Sequence, residues 1–586
     1  MAKFYNFAGQ QIILPGAYTD RSFPETEGAG AITGRVIIMG EAAKGGIPYN
    51  AFTDVEDVIN TVTGQAQALN VFGGGDVYYG AEFFLTPHKD DRFNKPSKAD
   101  CIVVNQMTQA TMILYNGATP IIDLAYNKYG TDGNSAATKV SSGSNTGKLI
   151  NMIYKGADVI KQDDTNLNMM SIRYTGSGSA AAMTINATTL TTTCTGDTPS
   201  NLSITLADYS DLGSLVSFIN NKANYTCLLT GKSDELATVF DAVTAQDIKT
   251  AAYSAIAIVE SIIRLITATG SVTAELHSGS ARLIPDNMAE FTYFTGGTVS
   301  SATTADWTDA LVKLETYDLN NIVCMSGNET IHLIVQDHID RMNAVTTKKY
   351  RQAGAGSGSA VNTKALRVAE MKALGSAYME YCVSSFTRYD YVNKVANTTF
   401  DCYYLYALIA GLRYANNVGM DVVFKYLNVL STPKIGKQDQ IDYAAAGATF
   451  IQKSVGLNST NFEIKCNNTT YQGSQVTRTN PSCVYEINVL TADYENQITE
   501  KLRALDTVSD SVIIATIQNW ILTFLFPKYR DDYKWITNGP DGQKAFDNVS
   551  FTQSGEQFIT NATLTMSVTP RFAFTFFTFI TPGQNV

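Results

Sequence analysis

The most regular alternation of hydrophobic and polar positions lies in the last stretch, residues 561–580, NATLTMSVTPRFAFTFFTFI. Leu564, Met566 and Val568 fall on one face, and Thr563, Thr565, Ser567 and Thr569 on the other. That is the period-2 signature of a strand with one buried face. Pro570 has no N–H to give to a ladder and interrupts it. A second strand follows, with Phe572, Phe574 and Phe576 on one face and Phe577 and Phe579 on the other, as a bulge or twist would place them. Burying each Phe stabilises by roughly 1.5–3 kcal/mol, whereas chain termini are ordinarily polar and frayed. A terminus this apolar must join a sheet, either its own chain's or a neighbour's.

At the other end, residues 1–30 are short apolar pieces between turns. Ile12, Ile13 and Leu14 run into Pro15-Gly16, with Tyr18 just beyond. This is too little to fold alone and reads as an extended arm. Residues 35–39 read as a buried strand, 54–69 as a helix with Val55, Val58 and Ile59 on one side, 78–85 as a short strand or helix, and 101–104 and 112–115 as strands. Residues 130–147 are polar and turn-forming. From there to about 290 the chain alternates Ser/Thr-rich strands (183–185, 202–206 and 225–229) with a helical pattern over 248–266. About 150–290 reads as a domain inserted at an exposed loop.

Beyond residue 293, helices and strands alternate. Asp306 is placed to cap a helix with Trp307, Ala310, Leu311 and Leu314 on one face. A strand at 322–325 and a helix at 329–342 follow. The stretch 351–360, RQAGAGSGSA, reads as a flexible loop. A helix at 365–374, a strand at 378–383 and a buried helix at 403–415 complete the series, which predicts a mostly parallel sheet covered on both faces. After residue 440 a compact α/β module is expected. Its parts are a helix ending at Gly447, a strand on which Cys483, Tyr485, Ile487 and Val489 alternate, an amphipathic helix and a buried helix over 511–525. The amphipathic helix carries Tyr494, Ile498, Leu502 and Leu505 on its apolar face, with Glu495, Glu500, Lys501 and Arg503 off it.

Composition narrows the function. Lys and Arg total 43 against 54 Asp and Glu, a net charge of −11, which argues against nucleic acid as the main partner. The 586 residues suggest several domains, and only 17% are charged, the balance of a β-rich assembly protein. MAKFYNFAGQ has no apolar stretch of signal-peptide length, and no run approaches the roughly 18 apolar residues of a membrane span. The 8 cysteines are widely spaced with no C-x-x-C, so reduced buried thiols in a protein made in the cytoplasm are expected.

Catalytic patterns are missing from the sequence. Of the four histidines, 88, 277, 332 and 338, the last two stand at i and i+6, not the i, i+4 spacing of H-E-x-x-H, and His338 reads as a core residue. The stretch 40–46, GEAAKGG, follows a strand but lacks the Gly-Lys-Ser/Thr ending of a phosphate loop. There is no G-x-S-x-G elbow. An assembly protein without catalytic, cofactor or metal site is the expectation.

Several short motifs, in order, resemble one family. FTGGT at 294–298, DWTDALVKLE at 306–315 and NIVC at 321–324 are similar to the L-x-G-G, helix, L-E and N-I-V series of the tail sheath proteins of contractile bacteriophages. LPGAY at 14–18 resembles that family's P-G-V-Y element, and VIIMG at 36–40 with Lys44-Gly45 its first core strand and turn. Tyr129-Gly130 with Gly133-Asn134 resembles its G-x-x-G-N turn, and YALIAGL at 406–412 its A-A-x-I-A-G-L helix. The resemblance is weakest over 150–290.

The resemblance implies an α/β and α+β multidomain chain. Its subtilisin-like α/β core, without a protease site, would be split between 31–150 and 294–440. An inserted β-rich outer domain would occupy 151–293 and a smaller tube-facing α/β domain 441–560, with arms at 1–30 and 561–586. The arms would insert as strands into neighbouring subunits through Ile12, Ile13, Leu14, Tyr18, Leu564, Met566, Val568, Phe572, Phe574, Phe576 and Phe579. The subunit would form stacked hexameric rings around an inner tail tube and contract to drive the tube through the host envelope. Its partners would be copies of itself, the tube, and baseplate and tail terminator proteins, with no nucleic acid and no membrane insertion. It would be assembled in the bacterial cytoplasm and end in the phage tail. Lys501 and Arg503 are the candidate tube contact, although both also suit a solvated helix face. Another self-assembling shell or surface-layer protein would explain the composition and terminal strands, but not the order of the motifs.

Overall fold

The computed structural model describes residues 34–344, 346–454, 459–503, 510–539, 542–554 and 557–567, and the backbone of 5–7 and 10–12. They fall into two compact units. One spans residues up to 43, 47–106 and 301 onward, and the other 44–46 and 107–300.

Short runs without a polar face, such as VIIMG and NIVC, can only be strands covered on both sides. In the first unit they build a nine-stranded sheet. Its strands are β1 (Val36–Gly40), β2 (Asn60–Val62), β3 (Ala99–Val103), β4 (Asn321–Cys324), β5 (Gln352–Gly356), β6 (Met379–Cys382), β7 (Tyr426–Leu427), β8 (Ala448–Lys453) and β9 (Phe462–Cys466). The spatial order is β7-β9-β8-β6-β5-β4-β1-β3-β2. The interior pairings from β8 through β3 are parallel, and the three outer ladders, β7–β9, β9–β8 and β3–β2, run antiparallel. Helices α1 (Asp76–Leu85), α2 (Thr304–Lys313), α3 (Glu329–Met342), α4 (Lys364–Leu374), α5 (Tyr404–Tyr414) and α6 (Lys437–Ala445) cover it. Leu311, Val335, Met371 and Tyr443, from α2, α3, α4 and α6, share one core with Ile37, Ile322 and Ala353. On the opposite face α1 and α5 cross so closely that a Cβ on Gly411 would stand 2.2 Å from the Phe84 carbonyl oxygen.

The parallel sheet covered by helices agrees with the expected α/β class, and local differences have physical causes. RQAGAGSGSA contains no loop at its start: every residue of β5 is buried. Its glycines provide space, since a Cβ on Gly354 would lie 2.2 Å from the Tyr406 ring. The helical pattern over 54–69 is interrupted by β2, where Asn60 is fixed by hydrogen bonds to Ile47. Thr303, not Asp306, is the N-cap of α2, and Asp306 returns the bond from the third position. The strand expected at Cys483, Tyr485, Ile487 and Val489 is instead the start of a 23-residue helix, α7 (Pro481–Arg503). Its first turns are buried all round, from Ser482 to Glu486, so no periodicity separates strand from helix there. Strands β8 and β9 complete the sheet, so the expected boundary at residue 440 runs through a single layer.

The second unit is β-rich and begins at Met107, well before the expected 151. Met107–Asn116 and Thr119–Tyr129 pair with each other, and Val272–Leu276 extends their sheet. Ala136–Ser142 pairs with Lys148–Tyr154 and with Thr292–Tyr293. Composition does not mark this boundary, because these strands are as apolar as those of the α/β unit. The helix expected over 248–266 is shorter, Ile258–Thr267, and the strand Tyr253–Ile256 precedes it. Buried Asp241 accepts from the backbone N–H groups of Ile258 (2.6 Å) and Val259 (3.0 Å), doing the work of an N-cap from a distant loop.

Two predictions follow from these positions. Gly354→Ala should destabilise the α/β unit by about 1–3 kcal/mol through overpacking. Gly64→Ala, which meets open space, should stay within about 0.5 kcal/mol in the same denaturant titration. Burial pushes the Asp241 carboxyl up to about 6 in spite of its two backbone donors. A raised carboxyl pKa gives stability that is complete below the unfolded value and lost as pH rises through the folded one. Asp241→Asn should therefore gain on wild type by about 3 kcal/mol between pH 4 and 7, read as the pH dependence of their difference in unfolding free energy.

Candidate assembly interfaces

The sequence pointed to the two chain ends. Near the C-terminal end, β10 (Phe546–Ser554) and β11 (Gln557–Leu564) form an antiparallel hairpin. No third strand joins it among the described residues. Tyr5–Phe7 and Gln10–Ile12 form a second two-stranded ribbon, again without a third strand. A two-stranded ribbon is marginal by itself, and its outer edges present unpaired N–H and C=O groups that template a further strand.

The C-terminal hairpin is anchored. Phe546 packs on Phe526, ring centroids 5.2 Å apart, and Phe526 on Tyr494 of α7 at 6.4 Å. Beyond β11 the chain threads through the same lobe. Thr565 donates its N–H to Ala545 (2.9 Å), Thr537 donates to Thr565 (2.9 Å), and Ser567 donates to Trp535 (3.2 Å). Met566 is buried opposite Ile536. Leu564 and Met566, expected on a donated arm, thus lie in their own subunit, and the strand starts at Gln557 rather than 561. Alternation cannot tell a strand paired at home from one paired abroad. Of the other expected arm residues, Ile12 pairs with Tyr5, while Ile13, Leu14, Tyr18, Val568, Phe572, Phe574, Phe576 and Phe579 lie outside the described residues.

The charged side of α7 is only partly free. Lys501 sits over the Trp520 ring at 5.6 Å, and Arg503 pairs with Glu500, both largely exposed. Glu495, expected off the apolar face, is buried and accepts the Tyr350 hydroxyl at 2.8 Å. Leu505 lies outside the described residues. The helix expected to be buried, α8 (Asp510–Trp520), continues through a π-helical turn, Ile521–Leu525. That turn places Leu522 and Phe524 in solvent, Phe524 at 51% exposure. Sequence reasoning missed these two. Polar Gln518, Asn519 and Thr523 beside them were the available signal, and the π-turn rotates that face outward.

The four histidines are engaged internally. His332 lies between the Glu370 carboxylate (2.5 Å) and the Ser326 carbonyl (2.7 Å). The Ser326 carbonyl can only accept, so the ring nitrogen facing it carries hydrogen. His338 accepts from Arg351 at 2.9 Å. Burial and then that guanidinium push His338 down to about 3, so it is a neutral core residue, as expected. His88 bonds the Asn94 carbonyl, and His277 pairs with Asp123. In the turn after β1, the Ala42 and Ala43 N–H groups are taken up by Asn105 and Gly74 and are not free to hold a phosphate.

No family model and no curated protein matches this chain. Among solved structures it is similar to a sheath tail protein from Desulfitobacterium hafniense, at 11% identity and a TM-score of 0.49, over 94% of this chain and 100% of that one. It is also similar to a sheath tail protein from Listeria innocua, at 12% identity and a TM-score of 0.52, over 92% of this chain and 93% of that one. The resemblance read from short motifs is thus matched at the level of fold: over nearly its whole length this chain shares the fold of the Listeria innocua sheath tail protein.

Proposed function

We propose that this chain is the structural, non-enzymatic subunit of a contractile tail sheath. The observation that carries the reading is the end-to-end fold shared with a sheath tail protein, joined to the independent order of sequence motifs. The two open-edged ribbons near the chain ends add the physical means of linking subunits. A strand added at an open edge gains main-chain hydrogen bonds without a large preformed interface. A head-to-tail contact that does not close builds a helical stack. In this reading the subunits form hexameric rings stacked around an inner tube, held extended by a kinetic barrier. Contraction then drives the tube through the cell envelope. The tethers are the first residues, with Ile12, Ile13, Leu14 and Tyr18, and the segment from Val568 onward with its phenylalanines. The sheath is assembled in the host cytoplasm and meets baseplate and terminator proteins at its ends.

Truncation tests the tether. A chain ending at Ser567 keeps β11 and buried Met566. It should fold with the full-length unfolding midpoint yet form no tubes by negative-stain electron microscopy. A chain ending at Asn561 also loses Met566 from the lobe and should be less stable by about 1.5–3 kcal/mol. Tubes of normal length from the chain ending at Ser567 would remove the donated strand. Flat lattices or closed shells from the full-length protein would favour a surface-layer or shell protein.

Tube contact is assigned to the end of α7, through Arg503 and Lys501 with Trp520 and Phe524 beside them. Reversing both charges to Glu should reduce co-sedimentation with the tube protein several-fold while sheath self-assembly persists; undiminished co-sedimentation would exclude this helix end.

A further inference from the structure

Helices α2, α3, α4 and α6 turn their buried stripes to one face of the nine-stranded sheet, and they lie side by side in that order. Their outward sides are not uniformly polar. Each exposes one large aliphatic side chain: Val312 on α2 (51%), Leu333 on α3 (42%), Leu366 on α4 (50%) and Ile441 on α6 (54%). A lone exposed aliphatic residue needs no explanation. One on each of four adjacent helices makes a band of the kind that marks a contact surface.

Charge divides the same surface in two. Helices α2 and α3 expose Asp309, Glu329 and Asp340, which make no ion pair among the described residues, and Asp337, which Arg341 neutralises at 3.2 Å. Helices α4 and α6 expose Lys372 and Lys437, also without an ion pair among the described residues. The acidic groups on that side, Asp439 and Asp442, are neutralised by Lys364 at 2.8 and 2.7 Å. One half is therefore acidic and the other basic, each with two aliphatic side chains among its charges.

We infer that this helical face is a contact between copies of the chain, the acidic α2–α3 half of one copy lying against the basic α4–α6 half of the next. A second copy supplies the sign that each half lacks and covers the aliphatic band. When the copies are staggered by half of this face, the two halves of each copy meet two different neighbours, so the contact repeats and does not close. The inference deepens the tail-sheath reading and rests on it. It adds a broad side-to-side contact to the strand tethers.

The test uses full-length chains with exposed charges reversed. One variant carries Asp309→Lys and Glu329→Lys, making both halves basic. The other carries Lys372→Glu and Lys437→Glu, making both acidic. Circular dichroism and the unfolding midpoint should match wild type, because all four side chains are in solvent. Each variant alone should lose about tenfold or more of its sedimentable polymer at low salt, where surface charges are least screened. An equimolar mixture should recover it. A variant that polymerises alone like wild type, or a mixture that fails to recover, overturns the contact while tubes from wild type leave the sheath reading standing. Wild-type protein that stops at a dimer overturns the staggered arrangement, and wild-type protein that stays monomeric overturns the contact and the sheath reading together.

Discussion

One buried ion pair fixes the centre of the α/β unit. Glu380 on β6 and Arg413 on α5 have side chains only 1% exposed. The carboxylate takes both terminal nitrogens of the guanidinium and also accepts from Asn467 (2.6 Å) and the Tyr406 hydroxyl (3.1 Å). The network then spreads. Asn321 of β4 donates to the hydroxyls of Tyr406 and Tyr414, Tyr414 donates to Gln352 of β5, and Gln352 donates to the Pro481 carbonyl where α7 begins. Three central strands, the α5 helix and the start of the longest helix are thus in register with one another. Taking one partner from such a pair strands a buried charge, at about 3–5 kcal/mol. Gly354 belongs to the same arrangement: without a side chain on β5 there, the Tyr406 ring can lie against the sheet and bring its hydroxyl to Glu380.

Strand edges are treated differently in different parts of the chain. In the β-rich unit two of them are protected. The Asn220 side chain gives and accepts one hydrogen bond each with the backbone of Cys227, occupying the edge of the strand Tyr225–Leu229 as a neighbouring strand would. The edge strand Ala157–Thr165 carries Lys161, Asp163 and Asp164 and two register shifts, both of which deter pairing. The ribbon of Tyr5–Phe7 and Gln10–Ile12 has no such cover among the described residues, and the hairpin of β10 and β11 has only the register shift between Asp547 and Ser550. Strand exchange in the proposed assembly would therefore have a place to occur and places from which it is barred.

Periodicity made the regular elements legible. Helix α3 was read to the residue, and β1, β4 and α5 to within one, because their apolar residues either recur at a single spacing or fill the element. It failed where burial surrounds an element, as at the start of α7, and where a residue's role is defined by its neighbour. Gly354 and Gly356 spell a flexible loop until Tyr406 and Tyr403 are seen against them. The start of the β-rich unit at Met107 is set by which strands pair, a non-local fact. The interfaces were half visible. The apolar C-terminal strand was plain, but the sheet that receives its first part was not. The aliphatic band on α2, α3, α4 and α6 is one residue per helix and emerges only when the four lie side by side.

These interactions form an energetic hierarchy that would suit the proposed contracting sheath. A subunit that re-stacks must exchange its outer contacts and keep its interior. Breaking the Glu380–Arg413 pair is a several-kcal/mol event, because it would leave a desolvated charge uncompensated. Exposed pairs such as Arg503–Glu500 are worth about 0–1 kcal/mol and weaken with salt. A band of half-exposed aliphatic side chains bordered by surface charge is equally modest per residue. Contacts of that strength separate and re-form one at a time, while strand pairing holds many main-chain hydrogen bonds at once. Re-stacking would therefore break the helical faces first, leave the strand tethers paired, and leave the sheet with its buried network unchanged.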